Sequence, residues 1–192
     1  MKIIFATGNK GKLKEVRDIF SDTKFEILSL DEIGFTEEII EDGDTFEENS
    51  FIKADRIYSQ FKIPVIADDS GLAVEQLDGE PGIYSARYAG EDVSYYDNNI
   101  KLLNELKTYA EPHLAKFVCC AVYVDETKRF SVIGELPGKI IKEFKGEHGF
   151  GYDPIFQPDE FNLTLAQMNL EDKNRISHRA KAFGLLKKRM LE

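Results

Sequence analysis

The sequence predicts a mixed α/β fold built on one extended central sheet flanked by helices, and three observations carry that expectation. Strand-like apolar runs alternate with helix-period segments through the first half of the chain, and strand candidates then cluster in the second. No linker-like composition interrupts the 192 residues, so residues 1–192 are expected to form a single domain.

The opening "KIIFA" reads as a buried strand, and from Gly11 the apolar residues Leu13, Val16, Ile19 and Phe20 fall at helical spacing. The chain therefore begins as strand, polar turn, helix. "KFEILSL" is a second strand candidate, followed by the irregular acidic stretch "EEIIEDGDT". Thr45 with Glu48 three residues on has the capping-box pattern, which starts a helix through "FEENSFIKADRIYSQF". Pro64 ends it, "PVIA" runs as a strand into a turn at "DDSG", and "LAVEQL" resumes as a strand. After the Gly-rich loop "DGEPGIYSARYAGED", a helix through "SYYDNNIKLLNELKTY" places Ile100, Leu103 and Leu106 in the core. "KFVCCAVYVD" and "KRFSVIGEL" form a hairpin about "ETK", "GKIIKEF" adds a strand, and an amphipathic helix runs from about Ser177 to the end.

Composition narrows the function. The apolar and charged fractions, 42% and 31%, are those of an ordinary soluble protein. No apolar run is long enough to span a bilayer, and "MKIIFATGNKG" turns polar too early for a secretory signal. A cytoplasmic protein without a membrane partner is expected. Cys119 and Cys120 are neighbours in an apolar run, where successive side chains face opposite ways, so reduced core thiols are expected rather than a disulfide or a metal site. The net charge of −10 argues against broad nucleic-acid binding. A small polyanion would need lysines and arginines concentrated at one place, a divalent cation, or both.

Five constellations bear on chemistry. In "TGNKGK", Gly8 and Gly11 permit a nest of backbone N–H groups at a helix N-terminus and Lys12 adds charge, although an ordinary turn capped by Asn9 with solvated lysines explains the same residues. In "IADDSG", Asp68 and Asp69 sit where open α/β sheets place ligands. Extended backbone turns them opposite ways, so one faces a ligand and the other braces the chain; an Asx-turn is the plainer alternative. Such an aspartate can hold Mg²⁺ or act as a general base, with Ser70 contacting a phosphate. The acidic stretch Glu37, Glu38, Glu41, Asp42 and Asp44 reads first as solvated surface, yet one member meeting an aspartate of "DDS" would suffice for a hard cation completed by phosphates. On the next helix Asn49 and Lys53 share a face. "GEHGFGYDP" suits a glycine loop lying against a planar ring, with Phe150 stacking and backbone groups near Asp153 reading its edge, or simply a hairpin end with one aromatic in the core. In "EDKNRISHRAKAF", Lys173 precedes the last helix and His178 and Arg179 lie in its first turn; a cation there opposes the helix dipole unless an acceptor faces it.

Taken in order, "TGNKGK", "ENSFIKA", "ADDSGLAVEQLDGEPGIYSARYAGE", "GFGYDPIF" and "EDKNRISHRAKA" closely resemble the inosine triphosphate pyrophosphatase family, the XTP/dITP diphosphatases, from the first strand to the last helix. The resemblance implies a homodimer of elongated α/β subunits with two lobes and an active-site cleft between them. It implies Mg²⁺-dependent hydrolysis of ITP, dITP and XTP to monophosphate and pyrophosphate. By the same resemblance Thr7, Gly8, Asn9, Lys10, Gly11 and Lys12 hold the triphosphate with Lys53. Asp69 is the proton acceptor and a metal ligand, Glu41 the second metal contact, and Ser70 a substrate contact. Phe150, Gly151, Tyr152, Asp153, Lys173, His178 and Arg179 surround the base and sugar. Release of pyrophosphate requires in-line attack of water at the α-phosphorus, and N–H donors from His178 or Arg179 would meet the 6-oxo group that adenine lacks. Two other functions fit less of the sequence: a pyrophosphatase for modified pyrimidine triphosphates, and a nucleotide-binding sensor without turnover.

Overall fold

The computed structural model describes residues 1–192. In chain order it contains β1 (Lys2–Phe5), α1 (Lys10–Phe20), β2 (Glu26–Leu28), α2 (Phe46–Phe61), β3 (Val65–Val74), α3 (Tyr95–Leu106), β4 (His113–Val124), β5 (Arg129–Ile140), β6 (Phe156–Pro158), α4 (Leu170–Ile176) and α5 (His178–Leu191). The strands make one six-stranded sheet in the order β2-β1-β3-β4-β5-β6. β1 is parallel to both β2 and β3, and β6 is antiparallel to β5. The chain packs as two compact units, one of residues 1–69, 119–134 and 179–192, the other of 70–118 and 135–178.

In the first unit, strand alternation sorts the core into two layers. Ile3, Phe5, Ile66, Cys119, Ala121 and Tyr123 pack against Val16 and Phe20 of α1 and Ala182, Phe183 and Leu186 of α5. The residues between them in sequence, Ile4, Ala6, Val65, Ala67, Cys120, Val122 and Val124, face the other way, onto Ala54 and Ile57 of α2. The expectation for the cysteines holds: both are free and buried, one on each face. Phe183 meets Phe5 edge-to-face with centroids 5.4 Å apart, which docks the C-terminal helix on the first strand.

The second unit is built around Leu72, Val74, Leu102, Leu106, Phe117, Leu136, Ile140, Tyr152, Ile155 and Phe156. Ser94 caps α3 with a full capping box to Asp97.

Several expected boundaries move. "DDSG" is not a turn: β3 runs unbroken from Val65 to Val74. The charge that suggested a turn is neutralised inside the fold instead, because Asp68 is paired with Lys12. "GKIIKEF" forms no new strand; Gly138–Ile140 completes β5, where Lys139 pairs with Gln157 of β6. At the start of α2, Thr45 accepts from the Glu48 N–H as expected, but the Glu48 carboxylate reaches the Asp44 N–H rather than that of Thr45. The last helix, α5, begins at His178 as expected, and a short helix not anticipated from the sequence, α4, precedes it across an extended Ser177.

The Phe183 contact can be tested by truncation. Phe183→Ala is expected to cost about 3–5 kcal/mol, read as a lower urea midpoint at unchanged slope. A loss below about 1 kcal/mol would mean α5 is held by other contacts.

Candidate active site

The first turn after β1 shows why a strand would end in "TGNKGK". Asn9 caps α1, its Oδ1 accepting from the N–H groups of Gly11 at 2.9 Å and Lys12 at 3.1 Å. Thr7 Oγ1 accepts from the Asn9 N–H at 3.2 Å. Neither Gly8 nor Gly11 has positive φ, so the turn itself does not demand glycine. At Gly8 a Cβ would meet nothing within 4 Å, so a side chain there would occupy only the open space in front of the backbone. Lys10 lies at the first helical position, where the N–H has no intrahelical acceptor.

Lys12 points back to the sheet. Its Nζ lies 2.9 Å from Asp68 Oδ2, and Arg179 Nε lies 3.6 Å from the same oxygen. Arg179 also donates to Glu15 Oε2 at 2.6 Å, which supplies the acceptor that a cation in the first turn of α5 requires. Burial raises the Asp68 carboxyl, but Lys12 and Arg179 outweigh it and hold the group well below the ordinary carboxylate range. The buried Cys119 thiol lies 3.7 Å from Asp68 Oδ2, and burial together with that carboxylate pushes its pKa up.

Asp69 faces the other way and is only half-buried. Its carboxylate accepts from Asn49 Nδ2 at 3.2 Å, and its N–H donates to Ser50 Oγ at 2.7 Å. Ser50 Oγ also reaches the Cys120 carbonyl at 2.9 Å, so one hydroxyl ties α2 to β3 and β4. Burial is the largest influence on Asp69 and, with the charge of Glu41, raises its pKa, against lowering by Lys53, Lys12 and the Asn49 hydrogen bond. Glu41 is itself ion-paired with Lys53. The two neighbouring aspartates therefore have opposed environments, the separation that assigns different acid–base roles to one pair.

The chemistry of the donors suits a hard divalent cation: Asp69 and Glu41 both offer carboxylate oxygens, and the charge of Glu41 acts on Asp69. The protein alone brings no three His, Cys, Asp or Glu side chains together for a metal. Two carboxylates are enough where phosphate oxygens complete the shell.

In the second unit the loop after β5 is organised by Asp153. Its buried Oδ2 accepts from the Phe150 N–H at 2.8 Å and from Lys173 Nζ at 2.6 Å. Gly149 has φ +80°, and a Cβ there would lie 2.0 Å from that oxygen, so this glycine serves the packing of Asp153. Lys173 lies ahead of the last helix as expected, within the short helix α4, and sits 4.8 Å from the Phe150 ring centroid. Phe150 is 36% exposed, and the Tyr95 ring is tilted against it with centroids 6.2 Å apart. Tyr152 is placed differently: its ring lies in the core and its hydroxyl donates to the Ser85 carbonyl at 3.0 Å. Gly151 is anchored through its carbonyl by Asn99 Nδ2 at 2.8 Å. Ser70 is half-buried in β3, and the His178 ring stacks on Phe117 at 4.9 Å.

Glu15 and Asn99 escaped the sequence reading. Glu15 lies in a helix with no pattern to distinguish it from a solvated residue. Asn99, one of two adjacent asparagines in an amphipathic helix, falls on the buried side; that placement was the available signal.

The sequence profile of the Ham1 family matches residues 3–189. The dITP/XTP pyrophosphatase of Bacillus subtilis (strain 168) is 46% identical over 187 residues, covering 96% of this chain and 94% of that protein. The enzyme of the same name from Haemophilus influenzae is 47% identical, covering 98% of both chains. The Ham1 protein structure from Staphylococcus aureus superposes with TM-score 0.91 at 40% identity, covering 100% of this chain and 98% of that one.

The Asp68 pairing has a measurable pH signature. A carboxyl whose folded pKa lies below its usual 3.8 contributes its full stabilisation above that value and loses it progressively as pH falls from there through the lowered folded pKa. Asp68→Asn is expected to cost about 3 kcal/mol or more at neutral pH, with the gap to wild type shrinking toward roughly pH 3 in urea melts. A gap that does not change with pH would show that the charge of Asp68 contributes no stability.

Proposed function

Since the chain belongs to the Ham1 family, we propose that it is a nucleoside-triphosphate pyrophosphatase, hydrolysing ITP, dITP and XTP to the monophosphate and pyrophosphate and so removing them from the nucleotide pool. The observation that carries this reading is the aspartate pair on β3. Asp68 is held ionised by Lys12 and the buried Arg179, while Asp69 is half-buried with a raised pKa, beside two lysines that act on both. The catalytic domain spans residues 1–192.

The first unit handles the phosphates. An ammonium group has three N–H donors, so Lys12 and Lys53 can each keep a carboxylate partner and still donate to phosphate oxygens. Within the Thr7–Lys12 turn the N–H groups of Asn9, Gly11 and Lys12 are already held by Thr7 and Asn9, so the turn would contribute the N–H groups of Gly8 and Lys10 and the open approach at Gly8. Mg²⁺, held by Asp69 and Glu41, would neutralise phosphate charge and favour ionisation of the attacking water. Asp69 receives the proton as water attacks the α-phosphorus and the bond between the α-phosphorus and the bridging oxygen breaks, with pyrophosphate leaving in line.

In the second unit, Phe150 offers a stacking face, held by Asp153 and Lys173, and the backbone at Gly151 and Tyr152 lies alongside. Ser70 is assigned to a substrate contact, and His178 and Arg179 to the 6-oxo edge of the base. For Arg179, that role would be shared with its bond to Glu15. The resemblance of the sequence motifs adds a homodimer and a cytoplasmic place of action to this proposal.

Incubation of the purified protein with Mg²⁺ and, separately, ITP, XTP, GTP and ATP, followed by anion-exchange chromatography, tests the reading. The expected products are IMP with pyrophosphate, formed far faster from ITP than monophosphate is formed from ATP or GTP. Phosphate in place of pyrophosphate would refute attack at the α-phosphorus, and binding of ITP without turnover would favour a sensor. Asp69→Asn is expected to lower kcat by roughly 10²-fold or more; near-wild-type turnover would remove Asp69 from the base role.

A further inference from the structure

Asn49 lies in the first turns of α2 with only 2% of its surface exposed, an unusual place for an amide unless both of its ends are used. Both are. Oδ1 accepts from the Gly43 N–H at 2.8 Å, and Nδ2 donates to Asp69 Oδ2 at 3.2 Å. The assignment of the two amide atoms is forced, because a backbone N–H can only donate and so requires the oxygen on its side. The nitrogen is then left facing the carboxylate.

Gly43 is two residues from Glu41, and it is glycine for a steric reason. A Cβ at that position would lie 2.7 Å from the Glu48 Cβ and 2.9 Å from Asn49 Oδ1. The chain can approach Asn49 this closely only without a side chain. One amide thus touches the carboxylate assigned to proton transfer and the segment that carries the second carboxylate.

We propose that Asn49 is a positioning residue: its Nδ2 sets the orientation of the Asp69 carboxylate, and its Oδ1 pins the 41–43 segment beside it. The catalytic half of this proposal rests on the assignment of Asp69 as the base. The amide suits the task because it donates to Asp69 without adding a charge, whereas a lysine or arginine would depress the base and a second carboxylate would repel it. It also leaves the other Asp69 oxygen to its remaining partners.

Two substitutions separate the two halves. Asn49→Asp keeps an acceptor for the Gly43 N–H but replaces the donor to Asp69 with a repelling carboxylate; Asn49→Ala removes both contacts without adding charge, so the orienting role requires a turnover loss in both variants. Amide hydrogen exchange at Gly43 in the intact protein reports the pin without requiring turnover. Steady-state kinetics with ITP and Mg²⁺ at alkaline pH, per folded enzyme, report the orientation. Asn49→Asp is expected to retain Gly43 protection and to lose at least roughly 10-fold in kcat, with KM changed by less than about 3-fold. Asn49→Ala is expected to lose both the protection and the turnover. Wild-type kcat in Asn49→Asp, or an equal rise in KM that accounts for the loss, would overturn the orienting role. Undiminished Gly43 protection in Asn49→Ala would overturn the pin. Should the wild-type protein fail to hydrolyse ITP, the functional reading falls, and the Gly43 exchange still decides the pin.

Discussion

The buried carboxylate of Asp68 is the constraint on which the first unit is organised. A charge buried within a packed strand costs several kcal/mol unless it is paired and hydrogen-bonded. Here the pairing comes from two helices distant in sequence, through Lys12 of α1 and Arg179 of α5. Both cations sit near helix N-termini, where the dipole disfavours them. Asp68 and Glu15 offset that disfavour, so the buried strand position and the helix starts require one another electrostatically. The Phe5–Phe183 contact supplies the apolar counterpart of the same docking.

The period of a β-strand turns this constraint into chemistry. Because successive residues face opposite ways, committing Asp68 to the interior directs Asp69 outward, toward the α2 side where Asn49, Ser50 and Lys53 are found. The two carboxyls then experience different balances of burial and charge: one is driven down by cations, the other raised by burial and by Glu41. Neither requires an unusual residue type. Two identical side chains acquire distinct properties from strand geometry alone.

Much of this was legible in the sequence because it depends on local periodicity. The first strand and helix, the long helix after Thr45, the opposed orientations of Asp68 and Asp69, and the division of Cys119 and Cys120 between faces all follow from spacings of two and of 3.6 residues. What was not legible depends on partners far along the chain. The "DDSG" segment carries turn residues and still runs as strand, because Lys12 neutralises a charge that local propensity counts against extension. Glu15 and Arg179 are 164 residues apart, and although Arg179 at a helix N-terminus called for an acceptor, nothing around Glu15 marks it as the one. The glycines of the second loop were legible as a loop but not in purpose: Gly149 is required by the carboxylate of Asp153. Tyr152 sits beside Phe150 in sequence, yet its ring serves the core.

The net charge of −10 and the cationic character of the proposed phosphate site are compatible for a physical reason. Lys12 and Lys53 are each held by a carboxylate, so the positive charge they contribute is local and largely neutralised at a distance. Such a site exerts little long-range attraction on an extended polyanion, which draws its affinity from many separated phosphate contacts. A compact polyanion differs, because several of its oxygens can meet the remaining N–H donors of the same ammonium groups at once. A divalent cation between Asp69 and Glu41 would add charge where the phosphates lie without altering the rest of the surface. The acidity of the chain therefore acts as a filter, weakening association with nucleic acid while leaving the capture of one triphosphate to contacts that operate only at hydrogen-bonding range.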